Sequence, residues 1–232
     1  MTTLAIDTTA KEVAVALLRD GEVLCEARAA AQRSGSEVLM PLAEAILRAA
    51  RVEMSAVDLL AVAVGPGSFT GVRVGVALAK GLGFGLNMLA APVSTTEALA
   101  ENLLPLDGLY CPVMDARRGE VYQALFRAEG GCLKRLTPDR AITASALAKE
   151  LALRYPGESV LLVGDGCYVA RPALEAEGIL LGAVAPSLVS HSAVSVARVG
   201  ERMHANGLSV SPDLLAPTYL REAQADEPKR RP

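Results

Sequence analysis

The sequence predicts an α/β fold of two related lobes, and three observations carry that prediction. First, residues 59–64 form an apolar, valine-containing run of strand length that Gly65-Pro66-Gly67 must end, because proline lacks a donor and glycine accepts φ > 0. A helix follows, with Gly71, Gly75 and Ala79 recurring every four positions. Second, the chain opens as a meander of alternating strands joined by tight turns. Third, that opening recurs. Setting Asp115 on Asp7 pairs Glu120 with Glu12, Val121 with Val13, and Ala124, Leu125 and Arg127 with Ala16, Leu17 and Arg19 without a gap. Six identities in one strand, turn, strand frame point to a duplicated unit.

Taken in order, Leu4-Ala5-Ile6-Asp7 is a short buried strand ending in an acid, and Thr8-Thr9-Ala10 turns the chain. Val13, Val15 and Leu17 alternate along a second strand, Asp20-Gly21 is a two-residue hairpin signal, and residues 23–27 return as a third strand. Arg33-Ser34-Gly35-Ser36 reads as a loop. After it, Val38, Leu39, Leu42, Ala45, Ile46 and Ala49 mark one face of a helix over 37–50, with Pro41 placed to start or kink it. The strand at Leu59 and the glycine helix over 70–84 come next, with Ser68 or Thr70 available as its cap. A strand around Ala91-Pro92-Val93 leads into Ser94-Thr95-Thr96-Glu97, a capping box that starts a helix running to about Leu104. Pro105-Leu106-Asp107-Gly108 closes the first half. The lobes are therefore expected over 1–105 and 106–221, with the last segment of the second packing back on the first. Beyond the repeated hairpin, the second half carries a helix over 144–153, a buried strand over 160–163, a turn at Gly164-Asp165-Gly166, and a final helix over 192–206 stopped by Gly207. Residues 222–232 are charged, lack a core former beyond alanine, and are expected to be disordered.

The 232 residues carry a formal net charge of −3, are 51% hydrophobic and only 3% aromatic. The core is therefore built from Ala, Val and Leu. A mildly acidic chain without a strong basic patch is a poor stand-alone binder of RNA or DNA, and a nucleic-acid role calls for a partner. Cys25, Cys111, Cys132 and Cys167 show no C-x-x-C spacing and read as small buried hydrophobes in a reducing cytosol. No basic stretch followed by an apolar one opens the chain. The apolar run 81–93 is preceded by Lys80 and Arg73 and broken by Pro92, so a cytoplasmic protein without a membrane span is expected.

The glycine helix costs roughly 1 kcal/mol of helix propensity per Gly relative to Ala. Close backbone packing accounts for that cost. A glycine-rich turn at a helix N-terminus can also cradle a phosphate, but the order here is not G-x-x-x-x-G-K-[ST], Lys80 lies too far into the helix, and G-x-G-x-x-G is matched only loosely. Packing is the preferred reading. Ser68 is not in a G-x-S-x-G elbow. His191 and His204 lack ligand spacing and read as surface or capping residues, so no metal set is expected.

Two matched hairpins, each with an aspartate at the end of its first strand, place Asp7 and Asp115 facing each other across a cleft between the lobes. This layout resembles the actin, sugar kinase and heat-shock ATPase superfamily, and the resemblance implies acids that organise metal-bound nucleotide phosphates. Thr8-Thr9 lacks the glycine that lets a phosphate approach the backbone there, and Asp7 reads equally well as a turn cap. Asp115-Ala116-Arg117-Arg118-Gly119-Glu120 is the densest charged cluster. Arg117 and Arg118, flanked by Asp115 and Glu120, suit bidentate contact with a nucleotide or an acidic partner surface; the alternative is a solvated hairpin tip.

Five segments together resemble one family, the bacterial TsaB proteins, also called YeaZ. They are Leu4-Ala5-Ile6-Asp7-Thr8, Gly65-Pro66-Gly67-Ser68-Phe69-Thr70-Gly71-Val72-Arg73, Val93-Ser94-Thr95, Asp115-Ala116-Arg117-Arg118-Gly119-Glu120-Val121-Tyr122 and Pro217-Thr218-Tyr219-Leu220-Arg221. The resemblance implies an actin-like, heat-shock ATPase-like (ASKHA) fold whose lobes are mixed sheets with flanking helices. It also implies a part in making N6-threonylcarbamoyladenosine at position 37 of tRNAs reading codons that begin with A. In that reading the chain is a non-catalytic scaffold and activating subunit. The chemistry belongs to a paralogous TsaD-like partner, a TsaE-like ATPase completes the complex, and tRNA is reached only through it. A homodimer is implied for the chain alone, with no cofactor of its own and ATP or ADP at the partner interface. The partner family carries a metal-binding histidine pair on its first helix, and Ser36-Glu37-Val38-Leu39-Met40-Pro41 has none. Helices 37–50 and 70–84 would offer Val38, Leu42, Ile46, Val74 and Leu78 to the partner or to a second copy. Gly71 and Gly75 would allow close approach there, unless they pack inside the chain. The rival reading is an active ATP-dependent small-molecule kinase with Asp7 and Asp115 holding Mg-ATP. A peptidase would need a nucleophile and base or a metal set, and the sequence shows neither.

Overall fold

The computed structural model describes residues 1–30, 35–86 and 88–221. The tail expected to be disordered, and Arg33 and Ser34 of the expected loop, lie outside them. Alternating apolar residues build the opening meander of β1 (Thr2–Asp7), β2 (Glu12–Arg19) and β3 (Glu22–Ala30). Asp20 at φ 52° and Gly21 at φ 82° join β2 to β3. This is the positive φ pair that a two-residue hairpin needs. After α1 (Gly35–Ala50) comes β4 (Leu59–Gly65), then α2 (Phe69–Leu86) and β5 (Leu89–Ser94). Both of these strands run parallel to β1, giving the order β3-β2-β1-β4-β5. Every residue of β4 is buried, as a parallel strand covered on both faces requires.

The second sheet repeats the plan. Following α3 (Thr95–Glu101), β6 (Gly108–Asp115) takes the place of β1. It pairs antiparallel with β7 (Glu120–Gln123) and β8 (Phe126–Glu129). The break between those two strands falls at Leu125, whose N–H donates to Thr137 Oγ1 at 2.8 Å. β9 (Cys132–Arg135) pairs with β8, and β10 (Arg140–Thr143) pairs with β7. Beyond α4 (Ala144–Arg154), β11 (Ser159–Val163) lies parallel to β6. Then come α5 (Cys167–Ala176), β12 (Leu180–Leu181) parallel to β11, α6 (Pro186–Val189) and α7 (Ala193–Ala205). The repeat is not gap-free in register. Asp7 stands opposite Ala14, whereas Asp115 stands opposite Val121, one residue tighter than the alignment implies.

The two faces of the first sheet carry different side chains. Leu4, Ile6, Leu60 and Val62 pack with α1 and α2, and each such side chain contributes roughly 1.5–3 kcal/mol on burial. Ala5, Ala14, Ala16, Ala61 and Ala63 make the other face shallow, and α7 settles on it. A Cβ at Gly200 of α7 would stand 2.5 Å from the Ala61 Cβ. The last helix thus lies on the first sheet.

The buried stripe of α1 differs from the expected one. It is Leu39, Ala43, Ile46 and Leu47, while Ala45 and Ala49 are exposed. Ile46, expected on a partner face, is 2% exposed and belongs to the core. Cys132 is exposed rather than buried, and the cysteines among the described residues are free thiols. By length and composition alone α2 is apolar enough to cross a bilayer. Its Val72, Gly75, Val76, Ala79 and Gly83 are buried inside the fold.

Candidate functional site

The ends of β1 and β6, the loop after β1 and the N-terminus of α2 enclose a cleft of about 740 Å3, lined by Thr8, Thr9, Lys11, Ser68, Asp115, Arg117 and Asp165 among others. Glycines set its walls. A Cβ at Gly71 would come within 1.9 Å of the Thr8 carbonyl oxygen, and one at Gly75 within 2.5 Å of Thr8 Oγ1. Thr8 Oγ1 donates to the Gly71 carbonyl at 2.7 Å, and the Ser68 N–H to the Thr9 carbonyl at 2.7 Å. The loop after β1 is therefore seated directly on α2. Gly71 and Gly75 pack against this loop, the alternative within the chain that the sequence left open beside a partner face. Ser68 Oγ accepts from the Gly71 N–H at 3.2 Å. That bond caps the helix. The turn after β11 repeats the close approach. A Cβ at Gly164 would stand 2.2 Å from the Val113 carbonyl oxygen, and one at Gly166 would stand 2.7 Å from the Met114 carbonyl carbon.

Asp7 is 2% exposed and both of its carboxylate oxygens are engaged within the chain. Oδ1 accepts from the Thr9 N–H at 2.8 Å and from Thr9 Oγ1 at 2.6 Å, and Oδ2 lies 3.1 Å from His191 Nδ1. Burial would push the Asp7 carboxyl up. The charge and hydrogen bond of His191, with the Thr9 bonds, hold it below the ordinary 3.8. Burial would likewise lower the His191 imidazole, and Asp7 by charge and hydrogen bond holds it above the ordinary 6.5. The sequence reads His191 as a surface or capping residue. It is instead 9% exposed, and its partner lies 184 residues away, beyond the reach of any local pattern.

Asp115 is likewise engaged. Its Oδ1 accepts from the Arg117 N–H at 2.8 Å, Tyr168 Oη donates to Oδ2, and its own N–H donates to Asp165 Oδ1 at 3.3 Å. Arg117 and Arg118 are exposed and adjacent in left-handed backbone, at φ 66° and 55°. An L residue there costs roughly 1–2 kcal/mol relative to the right-handed region. The segment 217–221 straps this hairpin to the first lobe. The Thr218 N–H donates to the Val64 carbonyl at 2.7 Å, and Arg73 Nε to Tyr219 Oη at 2.7 Å. The Tyr219 and Phe69 rings lie 4.8 Å apart, and Arg221 Nη1 donates to the Ala116 carbonyl at 2.9 Å while its guanidinium pairs with Glu120. Glu120 is therefore spent on the strap.

The lobes are also locked through Asp139. Its carboxylate accepts from Ser94 Oγ at 2.7 Å, from Thr96 Oγ1, and from Arg135 Nη1 at 2.8 Å. Ser94 caps α3 by accepting from the Glu97 N–H. Of the expected partner-facing residues, Val38, Leu42, Val74 and Leu78 remain half-buried at the surface of α1 and α2, next to exposed Ala45, Ala77 and Gly81. A Cβ at Gly81 would meet nothing within 4 Å.

Known proteins resemble this chain in sequence and in fold. Residues 29–228 match the family model of TsaD, tRNA N6-adenosine threonylcarbamoyltransferase. The chain is similar to the tRNA threonylcarbamoyladenosine biosynthesis protein TsaB of Escherichia coli, 31% identical over 228 residues and 95% of each chain. The protein of the same name from Bacillus subtilis is 39% identical over 142 residues, a match spanning 61% of this chain and 62% of that protein. Among solved structures, YeaZ from Pseudomonas aeruginosa superposes with a TM-score of 0.79 at 26% identity, over 94% of this chain and 99% of that one. The ROK hexokinase of Thermus thermophilus, at a TM-score of 0.51 and 14% identity over 88% of this chain and 100% of that one, shares the fold alone. The architecture is thus actin-like, two related α/β lobes of the ASKHA class.

Proposed function

The chain belongs to the TsaB (YeaZ) family, and on that premise we propose that it works in tRNA threonylcarbamoyladenosine biosynthesis as a non-catalytic subunit. It activates a TsaD-like paralogue that carries the transfer to N6 of adenosine 37, with a TsaE-like ATPase in the same complex and tRNA bound only through it. The observation that carries this reading is the match to the Escherichia coli TsaB protein over 95% of both chains.

The donor set supports a non-catalytic role. A metal-bound nucleotide of the kind the superfamily holds needs free carboxylate oxygens in the cleft. Asp7 has its oxygens committed to Thr9 and His191, and Asp115 has its own committed to Arg117 and Tyr168. Among the described residues no group of three His, Cys, Asp or Glu is placed to hold a metal ion. The residues present do not fit that group, and these commitments favour the non-catalytic reading over the kinase reading.

The partner face in this proposal runs along the outer side of α1 and α2, through Val38, Leu42, Val74 and Leu78, where Ala77 and Gly81 leave room for a helix to approach. The same face serves a homodimer when the partner is absent. Arg117 and Arg118 present guanidinium groups beside the cleft to an anionic nucleotide or partner group, with ATP or ADP at that interface. Co-elution with a TsaD-like protein on gel filtration tests the face. Leu78→Glu should abolish the complex while circular dichroism stays native, and an unchanged complex would refute the assignment.

A further inference from the structure

The functional reading leaves the Asp7–His191 pair unexplained, and the chemistry of that pair stands independently of it. Asp7 ends the strand that meets the cleft, yet it is buried with both oxygens occupied. A carboxylate held there requires a counter-charge, because an unpaired buried charge is strongly destabilising. His191 is placed to supply it, and it is placed firmly. Asn102 Nδ2 donates to the carbonyls of Leu188 at 3.1 Å and Ser190 at 2.7 Å, and Ser195 Oγ donates to Asn102 Oδ1 at 2.6 Å. On the other side of His191, Ser192 Oγ donates to Glu26 Oε1 at 2.9 Å. The crossover from α6 to α7 is thus stitched on both sides of the imidazole.

We propose that the imidazolium of His191 is the built-in counter-ion of Asp7, standing where a bound divalent cation would otherwise serve that carboxylate, so that the cleft takes its ligand without a metal at the end of β1. The charged groups acting on His191 agree with this. Asp7 and, from the turn after β11, Asp165 favour the protonated ring; Arg28 of β3 opposes it, and burial opposes it most.

The test uses the full chain. NMR of the imidazole nitrogens at pH 6.5, the ordinary value of a free imidazole, should show both nitrogens of His191 protonated in well over half of the molecules, since the group titrates above that value. Titration of Mn2+ with ADP, followed by electron paramagnetic resonance, should give the same weak binding for the wild-type and Asp7→Asn proteins. Removing the counter-ion in His191→Ala should raise Mn2+ affinity by about tenfold, the effect of one freed carboxylate, and the Asp7→Asn/His191→Ala double variant should lose that gain. A neutral His191 ring at that pH overturns the proposal. So does Mn2+ binding by the wild-type protein that Asp7→Asn removes, or a folded His191→Ala protein with no gain. If His191→Ala does not fold, the imidazole spectrum and the wild-type against Asp7→Asn comparison still decide. None of these readouts depends on tRNA modification.

Discussion

Alanine at Gly71 tests how the loop after β1 is seated on α2. The new Cβ would lie 1.9 Å from the Thr8 carbonyl oxygen, 3.1 Å from its carbonyl carbon and 3.2 Å from the Ser68 Cβ. Backbone, not a flexible side-chain end, is in the way, so the loop must lift off the helix. Lifting it breaks the Thr8 hydroxyl bond to the Gly71 carbonyl and the Ser68 bond to the Thr9 carbonyl, both 2.7 Å. Two hydrogen bonds at about 1 kcal/mol each and an overpacking cost of about 1–3 kcal/mol are offset by at most about 1 kcal/mol of helix propensity. The expected loss is about 2–4 kcal/mol, which lowers Tm by roughly 5–15 °C for a chain of this size. Gly81→Ala is the control on the same helix. It meets nothing within 4 Å and should gain up to about 1 kcal/mol. Urea denaturation followed by circular dichroism reads both. Equal midpoints for the Gly71→Ala and wild-type proteins would show that the glycines do not serve inward packing.

Arg117→Gly and Arg118→Gly should each stabilise the hairpin by about 1 kcal/mol by relieving the left-handed backbone yet reduce tRNA modification in the reconstituted complex. Full modification by both variants would make the guanidinium groups irrelevant. Asp139→Ala removes a carboxylate that accepts from two hydroxyls and Arg135, and should cost about 2–4 kcal/mol in urea unfolding. A change below about 0.5 kcal/mol, the size of an ordinary surface substitution, would deny its locking role. Stability should also follow the Asp7–His191 pair. Asp7 titrates below its unfolded 3.8, so its contribution is complete above that value and is lost as pH falls through the depressed folded value. His191 titrates above its unfolded 6.5, so its contribution is complete below that value and is lost as pH rises through the raised one. Midpoints measured across this range should therefore decline on the alkaline side, and Asp7→Asn should flatten that decline.

The sheets were legible because their signals are local. A short apolar run ending in an acid marked β1, alternation marked β2, Asp20-Gly21 marked the turn to β3, and Ser94 with Glu97 marked the start of α3. The duplication carried the second β-hairpin and so the two-lobed plan. What stayed hidden needed distance or a choice between equivalent faces. On α1, Ala43, Ala45, Ala49 and Ala50 spread apolar character around the helix, so the periodicity did not separate the stripe with Ile46 in the core from the one with Ala45 in solvent. On α2, two rows of small residues run side by side. Gly71, Gly75, Ala79 and Gly83 take the inward row, and Ala77, Gly81 and Gly85 the outward one. His191, Asp165 and Tyr168 reach the two acids from the second half of the chain, and only the tertiary fold brings them there.

The most direct measurement is transfer of threonylcarbamoyl from its adenylate to unmodified tRNA by purified TsaD-like and TsaE-like partners with ATP, in the presence and absence of this chain. The account predicts modification only when all components are present and none from this chain alone. Transfer by this chain alone, or the same rate from the partners without it, would contradict the account.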